Sequence, residues 1–169
     1  VNWLEVAIKY GKLKIDSARA LVLISKHSKI TVDKTNSLVV NSKYDTYNLG
    51  AVANFVGESG YTSYTIKGLA NKFNLTTKYG DAKIIGVADG FKSIVFNGAY
   101  ADFDAGIGKG VSYGIDAVVA YGDMKFNSSK GRVNRIEGNT STEVNGYVGS
   151  ESATAKVFVR SKYGDITLI

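Results

Sequence analysis

The chain contains no cysteine, no proline and a single histidine. Without cysteine there is no disulfide and no thiolate chemistry. With His27 alone, a zinc site lacks ligands, and a Ser-His-Asp triad would have to be built on that one imidazole. Proline has no N–H to donate to a strand paired on both sides, so its absence fits unbroken β-ladders. No apolar run is long enough to span a membrane as a helix, and no signal peptide is recognisable. The chain begins on core-like residues, Trp3 and Leu4, which reads as a fragment of a longer exported protein.

Glycine, by contrast, is abundant, with 19 of the 169 residues. At 44% hydrophobic and 21% charged, the composition suits one globular domain with a sizeable core, residues 1–169. The net charge of +6 would suit nucleic acid or anionic glycans, but the lysines are spread along the chain, so a solvated surface is expected and nucleic acid is not.

One phrase recurs. Ser161-Lys-Tyr-Gly-Asp-Ile-Thr-Leu168 is echoed by Thr77-Lys-Tyr-Gly-Asp-Ala-Lys-Ile84 and by Val119-Ala-Tyr-Gly-Asp-Met-Lys-Phe126. With its tyrosine as position zero, copies fall at Tyr10, His27, Tyr44, Tyr61, Tyr79, Tyr100, Tyr121, Thr142 and Tyr163. The spacing is 17 residues early and 21 late. Six residues before zero, every copy has a large apolar residue, from Leu4 and Leu21 to Ile136 and Val157. Five after zero run Ile15, Val32, Leu49, Ile66, Ile84, Ala105, Phe126, Tyr147 and Leu168. Such columns at a fixed period mark a repeat architecture. Side-chain parity flips between the two halves of each copy, which places a bend at the Tyr-Gly pair, where the glycine allows either an irregular backbone or a close approach. The added late residues fall in the connections.

Two folds fit. The first is an all-β, single-domain β-solenoid, a right-handed parallel β-helix of about nine coils with 17–21 residues each, whose tyrosines stack as a ladder. The alternative is an antiparallel β-meander. The tyrosine column favours the solenoid, and in a solenoid alternating lysine with a neutral residue at −1 keeps like charges apart. Trp3 and Leu4 already fit the first coil and Leu168 the last, leaving no room for a cap at either end; with Lys12 and Lys29 at one end and Asp123 and Asp165 at the other, end-to-end self-association is expected.

These phrases resemble the β-strand-repeat adhesin domains of exported Gram-negative bacterial proteins, over almost the whole chain from Lys9 to Leu168. The resemblance implies a β-solenoid and a periplasmic, outer-membrane-surface or extracellular setting. It carries no catalytic residue, and where the sequence departs from the phrase, at His27 and at Thr142-Glu-Val-Asn145, an irregular rung is expected. The expected function is a non-enzymatic scaffold or adhesin-like binding module, with another protein or a glycan at the bacterial surface as partner. The alternatives are a glycan-active β-helix enzyme and a purely structural repeat segment.

Candidate chemistry is sparse, and no cofactor or metal is called for. Asp81, Asp102, Asp123 and Asp165 share position +2, with Asp104 at +4. Stacked, they could form an acid/base pair or hold calcium, although a solvated face is the plainer reading. Lys9, Lys26, Lys43, Lys78 and Lys162 at −1 could track an anionic polymer or simply form a solvated row. Val22, Val39, Val56 and Val95, with Ile24 nearby, fall at outward positions and form a candidate interaction surface. Gly106-Ile-Gly-Lys-Gly110 lacks the Ser/Thr and helix of a phosphate loop and reads as a turn. Asn74-Leu-Thr76, Asn127-Ser-Ser129 and Asn139-Thr-Ser141 match a glycosylation pattern that arises readily by chance.

Overall fold

The computed structural model describes residues 2–127 and 130–169. The described residues are all-β, and their eleven strands form one mixed, unclosed sheet. The strands are β1 (Trp3–Lys9), β2 (Lys12–Lys26), β3 (Lys29–Lys43), β4 (Thr46–Val87), β5 (Ser93–Ala105), β6 (Tyr113–Ala120), β7 (Met124–Phe126), β8 (Gly131–Glu137), β9 (Ser141–Val148), β10 (Lys156–Lys162) and β11 (Ile166–Leu168).

From β1 to β5 the neighbours are parallel and in register by the repeat, so equal positions of successive copies lie side by side. Leu21 faces Leu38, Leu38 faces Phe55, and Phe73 faces Ile94. Tyr79 and Tyr100 stand on parallel neighbours, which rules out the antiparallel meander for this part of the chain. The −6 and +5 columns supply the core: Leu21, Leu38, Phe55, Phe73 and Ile94 are buried, as are Val32, Leu49, Ile66 and Ile84. The longer late connections turn at Ala88–Phe91 and Gly108–Val111, each closed by a hydrogen bond from the fourth residue's N–H to the first residue's carbonyl (3.0 and 3.1 Å). Phe91 and Val111 are buried at these turns.

Two expectations fail beyond β5. The last phrase does not lie last: β10 sits between β5 and β6, pairing parallel with both, and β11 sits between β5 and β7. Tyr121 is therefore not the neighbour of Tyr100, and Leu168 is interior. The Thr142 copy also does not join the parallel stack. β9 runs antiparallel to β6, and β8 antiparallel to β9, so this end is covered by the chain itself. Eight copies stack, not nine. The cause lies in the copy itself. Its −4 and +3 positions are Gly138 and Asn145, which offer no core side chain, and Ile136 at −6 is exposed. Val144 and Val148 are buried instead.

The bend falls at the Tyr-Gly pair, and of the two roles open to the glycine the structure shows the second. The left-handed residue is the aromatic one: all eight stacked copies have φ between 51° and 59° at position zero, whereas the following Gly11, Gly80, Gly122 and Gly164 show no positive φ. One left-handed residue flips the side-chain parity. The glycine serves close approach, since a Cβ on Gly80 would lie 2.2 Å from the Thr62 carbonyl oxygen. A non-glycine residue in this region costs about 1–2 kcal/mol, and stacking against a neighbouring ring returns about 0.5–1.5 kcal/mol per pair. Tyr61, with a ring on either side, illustrates the balance. Tyr61→Gly is expected to be more stable than Tyr61→Ala by about 1 kcal/mol, the reverse of the usual strand preference. Urea unfolding of the two variants measures the order, and an alanine variant at least as stable as the glycine one would contradict the strain.

Candidate functional site

The left-handed position turns each ring outward at the bend, and the in-register pairing brings the rings together. Their order along the stack is Tyr10, His27, Tyr44, Tyr61, Tyr79, Tyr100, Tyr163, Tyr121, with neighbouring centroids 4.8–5.0 Å apart. Interplanar angles of 4–16° put the rings face on face, so the ladder shows solvent mainly ring edges and hydroxyls. His27 is an ordinary rung. Tyr10, at the near end, is the most open tyrosine, 68% exposed.

The −1 column flanks the ladder. Nζ of Lys9, Lys43, Lys78 and Lys162 lies 5.3–5.7 Å from the centroid of its own tyrosine ring, within cation–π range. From Lys43 onward the column alternates, reading Lys43, Gly60, Lys78, Ala99, Lys162, Ala120. Inserting β10 is what keeps Lys162 between two alanines. At the near end the alternation stops, because Lys9 faces Lys26 and Lys26 faces Lys43. In the +2 column Lys12 faces Lys29.

The aspartates share the +2 column farther along, with Asp81 beside Asp102. Asp102 Oδ1 accepts the Asp165 N–H at 2.8 Å, and Asp165 Oδ1 accepts the Asp123 N–H at 2.8 Å. These two carboxylates thus tie each copy to the next. Asp81, Asp102, Asp104 and Asp165 line a shallow cleft with Lys83 and Thr167. Among the described residues, no group of three or more His, Asp or Glu side chains is arranged to hold a metal ion.

The valine row is real but broken. Val22, Val39 and Val56 lie side by side, then Asn74 intervenes before Val95. Ile24, Val39 and Val56 are exposed, while Val22 and Val95 are half-buried. Gly106–Gly110 leads into the turn at Val111. Asn74 is exposed on β4, Asn139 lies in the β8–β9 turn, and the Asn127 pattern runs into residues outside those described.

Sequence reasoning missed a buried polar cluster beneath the ladder. Asp45, only 5% exposed, stands where most copies have glycine or a small residue. Its carboxylate accepts from Ser25 Oγ at 2.7 Å, the Ser28 N–H at 2.7 Å, the Lys43 N–H at 3.1 Å and, at close range, Ser42 Oγ. Ser25 also bonds the Tyr47 hydroxyl, and Ser42 bonds Thr62 Oγ1 at 2.9 Å. The signal was present in serines and threonines at −2 and +1, Ser25, Ser42, Ser59 and Thr77 with Ser28 and Thr62, a polar pair of columns between apolar ones.

Tyr113 is buried in the second half, and its hydroxyl has no hydrogen-bond partner among the described residues. Burial pushes its ionisation up to about 12; burial raises Tyr47 and Tyr64 as well. An unfolded tyrosine ionises near pH 10. The stability these groups contribute is therefore complete below pH 10 and is lost as the pH rises through the folded values. Tyr113→Phe is expected to gain about 1 kcal/mol at neutral pH by removing an orphan hydroxyl. It should also flatten the fall in melting temperature above about pH 10. Melting curves from pH 7 to 11 test both; a variant as alkali-sensitive as the parent and no more stable would refute the assignment.

No protein-family model, no curated protein and no solved structure matches this chain.

Proposed function

We propose that the chain is a right-handed β-solenoid that serves as a non-enzymatic scaffold or adhesin-like binding module of an exported or cell-surface bacterial protein, engaging a glycan or another protein through a side face. The observation that carries this reading is the continuity of the outward columns. Eight rings, a lysine column and an aspartate column repeat at strand spacing, which suits an extended ligand running across the strands. Ile24, Val39 and Val56 offer an adjoining apolar contact for a protein partner. End-to-end self-association belongs to the same proposal: among the described residues β1 pairs only with β2, and beside it Trp3 is exposed while Leu4, Val6 and Ile8 are half-buried.

A glycan-active enzyme using Asp81, Asp102, Asp123 and Asp165 is the second reading, favoured by their adjacency. Against it, Asp102 and Asp165 are engaged with backbone N–H groups. Incubation with acidic and neutral polysaccharides separates the readings. Retention of polymer without new reducing ends supports the binding module. New reducing ends, lost on Asp81→Asn with Asp123→Asn, would establish the enzyme. No retention of any polysaccharide, together with no protein captured at a bacterial surface, would leave a purely structural segment.

A further inference from the structure

The lysine column obeys one rule over most of its length and breaks it at one end. Like charges placed directly opposite on neighbouring strands are destabilising. From Lys43 to Ala120 every lysine is separated from the next by glycine or alanine. Over the first three copies three lysines stand consecutively, and Lys12 and Lys29 add a second adjacent pair across the bend. Among the described residues the ion pairs are Arg135–Glu137 and Arg160–Asp116, so none of these five lysines is neutralised by one. No aspartate or glutamate occupies the −1 or +2 column here. The fold thus concentrates cationic repulsion on the exposed ring edges of Tyr10, His27 and Tyr44, a cost that a polyanion would turn into attraction.

We propose that these three copies form a binding site for an acidic polysaccharide, a chain with a carboxylate or sulfate on each sugar, laid along the ladder between Lys9, Lys26 and Lys43 on one side and Lys12 and Lys29 on the other. This rests on the binding-module reading and names its ligand class. The tyrosine hydroxyls and the His27 ring edge supply hydrogen bonds to sugar hydroxyls, while the lysines supply point charges. Single-stranded nucleic acid fits less well. Its bases stack on open aromatic faces, but in this patch His27 and Tyr44 are covered on both faces, which leaves only the outer face of Tyr10, and the patch has no arginine fork at these five positions.

The test uses the full chain, with polygalacturonate, its fully methyl-esterified form and poly(dT) as probes. Lys12→Gln/Lys29→Gln/Lys43→Gln removes charge at the near end, and Lys78→Gln/Lys83→Gln/Lys162→Gln is the matched control in the alternating part. Polygalacturonate should bind with an affinity that falls as salt is raised, and the esterified polymer about tenfold or more weaker. The near-end variant should lose about a hundredfold and the control far less. At low salt the near-end variant should melt higher than the parent, which separates lost binding from lost folding. Equal loss in both variants, equal binding of the esterified polymer, or tighter binding of poly(dT) would overturn the site. If both polymers are retained equally by parent and variants, the acidic site falls while the binding module stands. If no polysaccharide is retained by the parent, the acidic site falls and the glycan arm of the module with it.

Discussion

Val159→Asp is expected to abolish folding of the distal part of the molecule while sparing the near end. Val159 is fully buried, and its strand pairs on both sides, opposite Phe96 of β5 and Ala117 of β6. A carboxylate there has no polar partner and no route to water, which costs more than about 4 kcal/mol. That cost falls on the segment joining the two halves. With β10 and the β11 that follows it displaced, β5 and β6 lose a common neighbour, and β6, β7 and the β8–β9 pair lose their attachment to the stack. In a repeat array each copy is stabilised mainly by its neighbours, so the damage should stay local. The only tryptophan, Trp3, reports the opposite end. In urea, Trp3 fluorescence should keep a transition close to that of the parent, whereas the strand circular dichroism loses amplitude before any urea is added. A single coincident transition, shifted by less than about 1 kcal/mol, would show that β10 is not the joint between the halves.

Asp45→Ala is expected to destabilise the near half by about 3–4 kcal/mol, because hydrogen bonds to a charged group contribute about 1.5–3 kcal/mol each and do not add fully. The substitution strands the Ser28 and Lys43 N–H groups and takes the charged acceptor from Ser25 and Ser42 Oγ, which keep only Tyr47 and Thr62 as partners. Asp45→Gly is the informative companion. It restores the commonest residue of the repeat at that position, so the repeat alone would favour it. The cluster says otherwise: the Ser28 and Lys43 N–H groups remain orphaned, and glycine should rescue little. Asp45→Asn retains an acceptor oxygen and should fall between. Urea midpoints of the three variants give the order, and a glycine variant as stable as the parent would show that the cluster contributes nothing.

The repeat made the core legible because burial of a strand face leaves a periodic mark. Leu21, Leu38 and Phe55 sit where their spacing puts them, and the four added late residues lie in the turns at Ala88–Phe91 and Gly108–Val111. Neighbour order was not legible, because Ser161–Leu168 would fit beside any copy. The alternation of Lys162 with Ala99 and Ala120 was the available hint, and it needs the stack order to be seen. The Thr142 copy was over-read from Ile136, although Gly138 and Asn145 already denied it a core. Glycine's reputation for left-handed backbone hid the fact that the tyrosine adopts it. As for the site, the lysine, aspartate and valine positions were visible, but adjacency decides their meaning. Only pairing reveals that Lys9, Lys26 and Lys43 stand together and that Asn74 splits the valines.

The insertion of β10 also sets a timetable. A chain made or delivered from its N-terminus can lay β2 on β1, β3 on β2 and so on through β5, each copy closing on one already in place. At β6 the sequence of events must break. The place beside β5 belongs to a strand that begins 36 residues after β6 ends, so β6 and β7 must wait, or dock and be displaced, until Lys156–Leu168 arrives. During that interval β5 offers an open parallel edge to any strand nearby, including its own β6. The last strands to emerge thus decide whether the earlier ones find their proper neighbours, and an interruption of synthesis or delivery before Lys156 leaves a half-assembled stack with an exposed edge.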